Sequence, residues 1–217
     1  MSTKTRKTSC SNTSPRGYLS WSQLNLWEKD PNIYYQVYFE GLDQFRTKYL
    51  ELGKRMATTL ENGFDEFGDP MFDMLSVMLP SYPEREFDIR VNHKISEKVI
   101  VPLVGKLDGW NKTTVTIGEY KTGKCWTQSL VDSSGQLTFY ALLIWLKYKK
   151  MPEHILLHWA KTKEDEFGNL ELTGDIKSFK TKRSLKDLIL LSGRIERAWK
   201  GICELGEFNK QERPAQF

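Results

Sequence analysis

Residues Val99 to Lys121 read VIVPLVGKLDGWNKTTVTIGEYK, and the reading of this stretch sets the fold. Val99 to Asp108 and Thr114 to Lys121 are rich in apolar and β-branched residues and flank the turn-rich Gly109-Trp110-Asn111-Lys112. That pattern predicts two paired strands. Upstream, from Tyr82, the spacing is two: Glu84, Glu86, Asp88 and Arg90 alternate with Arg85, Phe87, Ile89 and Val91. A half-exposed strand follows from it, and the three strands form a β-meander.

Outward from this meander the period becomes helical. Leu24, Leu26 and Trp27, then Ile33, Tyr34, Val37 and Tyr38 beyond Pro31, predict two short helices with Ser20 or Ser22 as N-cap. Phe45, Tyr49, Leu52, Met56 and Leu60 form a stripe that predicts a helix over roughly 43 to 62, stopped by Gly63. A short helix near 70 to 79 precedes the meander. After it, Ser134 to Lys149 reads as a helix ending before Pro152. His154 to Ala160 reads as a buried strand, Leu170 to Ile176 as another, and Ser184 caps a last helix over roughly 184 to 205. The expected class is α/β (α+β), a mixed central β-sheet flanked by helices with an N-terminal helical segment.

The 217 residues suit one compact domain, expected over 18–217, and can bury a full core. Residues 1–17 carry Lys4, Arg6, Lys7 and Arg16, no acid and many Ser and Thr, which predicts a disordered basic arm. Lys plus Arg (32) against Asp plus Glu (28) leaves +4, a balance that identifies no partner by itself. No apolar run reaches the ~18 residues of a membrane span, and no apolar block follows the N-terminus. A soluble, cytoplasmic protein is expected. Cys10, Cys125 and Cys203 are too few and too scattered for a disulfide framework, a zinc ribbon or a four-cysteine iron–sulfur site. His154 and His158 have the i,i+4 spacing of a helical metal site, but they lie in a predicted strand and lack the Glu of a metalloprotease motif.

Chemistry concentrates in Asp108 and Glu119-Tyr120-Lys121. In a strand, positions i and i+2 share a face, so Glu119 and Lys121 look at one spot roughly 7 Å apart by strand rise. If the turn is centred near Thr113 and Thr114, Asp108 sits across from Glu119. If it is centred on Asn111 and Lys112, Asp108 is displaced along the ladder. Two converging carboxylates suit a hard divalent cation such as Mg²⁺, with the Tyr120 carbonyl as a further oxygen. The Lys121 ammonium then suits a water nucleophile or charge developing at phosphorus. The bland alternative is a charged strand face with an ordinary ion pair.

Gly118-Glu119-Tyr120-Lys121-Thr122-Gly123, preceded by Gly105-Lys106-Leu107-Asp108 and followed by Gln136-Leu137-Thr138-Phe139-Tyr140-Ala141, resembles the RecB-like branch of the PD-(D/E)XK nuclease superfamily. Ser20-Trp21-Ser22-Gln23-Leu24 with Trp27, Pro31 and Tyr34-Tyr35, and Tyr82-Pro83-Glu84-Arg85-Glu86, extend the likeness over roughly 20 to 150. The resemblance implies a restriction-endonuclease-like core over roughly 82–160. It also implies Asp108, Glu119 and Lys121 as catalytic residues, and Asp108, Glu119 and Tyr120 as ligands of Mg²⁺, with Mn²⁺ substituting. Gln136 and Tyr140, i and i+4 on one helical face, are then DNA-binding residues.

Two departures from the pattern stand out. In Gly53-Lys54-Arg55-Met56-Ala57, alanine occupies the place where many relatives carry a metal-binding His. Glu61, one turn on, is the expected substitute, since phage-type relatives such as lambda exonuclease use a helical Glu. The four cysteines of CRISPR-adaptation relatives are missing as well, so no iron–sulfur cluster is expected. Lys177, Lys180, Lys182, Arg183 and Lys186 could track a DNA backbone, or form a solvated loop and helix start.

The expected function is a metal-dependent deoxyribonuclease, an exonuclease acting on single strands or duplex ends in recombination, repair or phage DNA processing, with a protein partner in that pathway. The alternatives are a nuclease-derived module that binds DNA or protein without cutting, and a small-molecule phosphoesterase.

Overall fold

The computed structural model describes residues 14–43, 47–97, 99–123 and 125–212. Most of the expected basic arm, and residues 44–46 of the helix expected from 43, lie outside them. The chain is a mixed α/β protein in which a five-stranded sheet, ordered β1-β2-β3-β4-β5, is flanked by helices. The strands are β1 (Glu84–Lys94), β2 (Ile100–Asn111), β3 (Thr116–Lys121), β4 (His154–Glu164) and β5 (Leu170–Thr181). β3 runs antiparallel to β2 and parallel to β4, and β4 is antiparallel to β5. The crossover that parallel pairing demands is supplied by α5 (Gln128–Asp132) and α6 (Gly135–Tyr148).

The remaining helices are α1 (Trp21–Lys29), α2 (Pro31–Tyr38), α3 (Lys48–Asn62), α4 (Pro70–Met78) and α7 (Leu185–Glu212). Their ends follow local chemistry. Ser20 accepts from the Gln23 N–H to cap α1, and Asp30 accepts from Asn32 and Ile33 to cap α2, whose first residue is Pro31. Gly63 at φ +80° closes α3 in the left-handed conformation.

Several boundaries differ from expectation. β2 continues through Asn111, so Gly109 to Asn111 are strand and the turn falls at 112–115. Lys177 and Lys180 lie on β5 and not in a loop, because β5 pairs with β4 as far as Thr181. α5 was not foreseen; five residues are too short for helical periodicity to register. α7 runs past 205 to Glu212.

The described residues fall into two compact units, one drawn from 14–43, 90–105 and 185–212, the other from 47–89 and 106–184. In the first, the Arg194 guanidinium grips the Glu28 carboxylate at 2.8 and 2.5 Å, and Trp27 lies where a side chain at Gly201 would fall. Leu19 pairs with β2 by donating to Pro102 and accepting from Val104. In the second, Leu52, Met56, Leu60, Phe72, Leu75 and Leu79 form a core with Ala160 and Leu172 of the sheet. Asp65 ties the α3–α4 connection by accepting from Arg55 Nε at 2.8 Å and from the Asp69 N–H at 2.9 Å.

Tyr82 anchors the entry to β1. Its ring lies over the cross-strand pair Gly109 and Gly118, and its hydroxyl is 2.7 Å from His158 Nε2. His158 Nδ1 is 2.7 Å from Ser178 Oγ, and burial pushes the ring's pKa down to about 4. A depressed folded value means stability that is present above pH 6.5 and is lost as pH falls toward 4. Roughly 2 kcal/mol is expected after allowance for partial solvent screening. Urea midpoints measured across that window should fall in the parent and stay flatter in His158→Asn.

Candidate active site

The β2–β3 register pairs Gly109 with Gly118 and Asn111 with Thr116. The turn is thus centred between Thr113 and Thr114, which sets Asp108 across from Glu119. Val115 at φ +47°, together with Asn111 Oδ1 accepting from the Thr113 and Thr114 N–H groups, shapes that turn. Asp108 Oδ2 accepts from the Tyr120 N–H at 2.9 Å, so one carboxylate is bound to the strand that carries the other.

Glu119 is 1% exposed. Its Oε1 accepts from Lys121 Nζ at 2.5 Å and from Gln136 Nε2 at 2.8 Å. Its Oε2 is buried with no hydrogen-bond donor, and the Asp108 carboxyl is within hydrogen-bonding reach of Glu119. Two carboxylate oxygens cannot satisfy each other. A proton on one of them, or a cation beside them, relieves the repulsion.

Burial, and then the Asp108 charge, push Glu119 up to about 8, with Lys121 opposing. Burial also raises Asp108, against the pull of Lys121 and the Tyr120 N–H. Burial alone would lower Lys121, but the charges of Glu119 and Asp108 outweigh it and hold the ammonium above its ordinary value. These tendencies agree if Lys121 stays charged while the two carboxyls share one proton at neutral pH.

The group lines a cavity of about 390 Å³. Glu61 and Ala57 of α3 line it too. Among the described residues, however, no three His, Cys, Asp or Glu side chains are grouped closely enough to hold a metal ion. Glu61 shares the cavity with Asp108 and Glu119 without joining them.

Gln136 and Tyr140, expected as DNA-binding residues, bond to Glu119 and to each other. Gln136 Nε2 donates to Glu119 and, at 2.9 Å, to the Tyr140 hydroxyl, which uses both of its hydrogens. Tyr140 is buried, and its phenol is held well above its ordinary pKa by burial and the Glu119 charge. The pair orients a carboxylate.

Arg183 is likewise spent inside the protein. It donates to Thr138 Oγ1 and Thr181 Oγ1, both at 2.7 Å, and to the Val131 and Ser134 carbonyls. It pins the α5–α6 corner.

Lys54, Arg85 and Glu86 also line the cavity and escaped the sequence reading. Consecutive residues of a regular strand point to opposite faces, yet Arg85 and Glu86 both reach it. Glu86 has φ +47°, which breaks the alternation. Lys54 was visible only as a charge on the exposed flank of an amphipathic helix.

A bare buried carboxylate oxygen, a second carboxylate beside it and an open cavity in front are a donor set that fits a hard divalent cation. No family model matches the chain, and no curated protein matches it. A solved structure described as "Crystal structure of SSO0001" is similar at a TM-score of 0.42 and 12% identity, over 96% of this chain and 77% of that one.

Proposed function

We propose that the chain is a metal-dependent deoxyribonuclease of the RecB-like PD-(D/E)XK type, working as an exonuclease on single strands or duplex ends. The observation that carries the reading is the donorless Glu119 Oε2 beside Asp108, with Lys121 on the same strand. Asp108, Glu119 and the Tyr120 carbonyl are the groups to hold Mg²⁺ or Mn²⁺, with Glu61 on the α3 wall. When bound, such a cation acidifies water and offsets charge at phosphorus.

The protein's own groups do the rest. The Tyr120 N–H fixes Asp108, and Gln136 and Tyr140 fix Glu119. Lys121 is left to hold the attacking water or to stabilise charge on the phosphoryl oxygens. A cytoplasmic setting and a place in DNA recombination, repair or phage DNA processing go with this reading.

The test is incubation with labelled single- and double-stranded DNA in Mg²⁺, Mn²⁺ or EDTA. Cleavage should require the metal and fall about 10²- to 10³-fold in Lys121→Ala. DNA binding without cleavage in any metal would favour a second reading, a binding module descended from a nuclease. Ala57 on the cavity wall and the lack of a three-ligand group among the described residues are the observations behind that alternative.

A further inference from the structure

A second cavity, of about 420 Å³, lies within the other compact unit. Its polar side chains are Arg16, Tyr18, Arg90 and Asn92, beside the segment Pro102 to Val104. Among the described residues that line it there is no Asp or Glu, although acids make up 28 of the 217 residues. The carboxyl cavity, lined by acids and cations alike, shares none of its lining.

Tyr18 organises the two arginines. Its side chain hydrogen-bonds with the Arg16 guanidinium, and the Arg90 guanidinium stands 6.0 Å from its ring centroid. Arg16 also lies 5.0 Å over the Tyr38 ring. Stacking on aromatic faces leaves the planar donor edge of a guanidinium available. With Arg16 donating to its oxygen, the Tyr18 hydroxyl keeps a hydrogen to give. The backbone supports the arrangement: Gly17 turns at φ +68°, and Leu19 then pairs with β2 at Pro102 and Val104.

Two guanidiniums beside one phenol, with no carboxylate among the described lining residues, match the charge and fork geometry of a phosphate group. We infer that this cleft binds a phosphate oxyanion. The same chemistry could come from the phosphodiester of a nucleic-acid strand or from free inorganic phosphate. The inference does not rest on the proposed nuclease activity, because it can be tested without metal or cleavage.

Two arms use the full-length chain in EDTA. In the first, anisotropy of a labelled single-stranded oligonucleotide is followed over a salt series. Arg16→Gln and Arg90→Gln should each weaken binding about 5- to 10-fold and lower the slope of log K against log salt by about 1. Arg16→Lys and Arg90→Lys keep the charge and should retain the slope while losing part of the affinity. In the second arm, inorganic phosphate at matched ionic strength should raise the melting temperature of the parent and not of the Arg16→Gln/Arg90→Gln double variant.

A response in the first arm identifies a strand, and a response in the second alone identifies free phosphate; either supports the site. Melting in chloride checks that each variant is folded, and the lysine variants carry the test if a glutamine variant is not. The inference is overturned if neither ligand acts on the parent, or if both act equally on the folded variants.

Discussion

Glu119→Gln should lose DNA cleavage by about 10³-fold or more under the proposed function and yet be more stable than the parent above pH 8. The two effects share one cause. Glu119 is buried beside Asp108, and its carboxyl is pushed up to about 8 from an ordinary 4.5. A folded value raised above the unfolded one gives stability that is fully present below pH 4.5 and lost as pH climbs through 8. The parent carries that loss in full above pH 8, on the order of 3 kcal/mol. Glutamine keeps the shape and has no charge to desolvate. It also offers a donor where Oε2 has none, and the Asp108 carboxyl is the neighbour able to accept it. Denaturant unfolding of both proteins in EDTA across pH 5 to about 9 should show the curves separating as pH rises. Parallel curves would mean that burial does not raise the Glu119 carboxyl. Activity is lost because the amide can neither balance Lys121 nor serve as an anionic ligand.

How much of this was readable beforehand depends on which geometry a residue obeys. Asp108, Glu119 and Lys121 lie on regular strands, so alternation alone placed Glu119 and Lys121 together. The partner across the ladder needed the turn centre, which composition left open between two registers. Gly109-Trp110-Asn111 looks like a turn, yet Gly109 lies on β2 opposite Gly118, and its lack of a side chain leaves room for the Tyr82 ring. Helix ends were legible for the opposite reason: Ser20, Pro31 and Gly63 act on the residues next to them. Arg85 and Glu86 were unreadable as cavity residues, since a positive φ at a glutamate has no sequence signature. Arg183 read as part of a basic run, either a DNA track or a solvated loop, because charge is visible in a sequence and its acceptors are not. Four of them are on Thr138, Thr181, Val131 and Ser134, up to 52 positions away. The i,i+4 spacing of Gln136 and Tyr140 was correct as geometry. What it could not reveal was that Glu119, 17 residues earlier, takes the amide hydrogen.

Gly118→Ala should cost about 3 kcal/mol, a large effect for one methyl group. Gly118 is not in the left-handed region, so alanine suits its backbone; what it lacks is room. A Cβ there would fall 2.2 Å from both Cε2 and Cζ of the Tyr82 ring, and one at Gly109 would fall 2.3 Å from Cδ2. Tyr82 cannot swing away cheaply. Its hydroxyl holds His158 Nε2, its ring packs edge-on to Tyr120 with centroids 6.2 Å apart, and it leads directly into β1. The alanine must therefore displace either the ring or β3, and Glu119 is the next residue along β3. Thermal melting measures the loss, and a double-mutant cycle identifies its origin. Tyr82→Ala removes the obstructing ring, so Gly118→Ala made in that background should cost less than about 0.5 kcal/mol. Equal costs in the two backgrounds would place the clash elsewhere. If β3 is what moves, Gly118→Ala should also lower cleavage at temperatures where it remains folded, and Tyr82→Ala should restore part of it, because the displaced strand carries Glu119 and Lys121 away from Asp108.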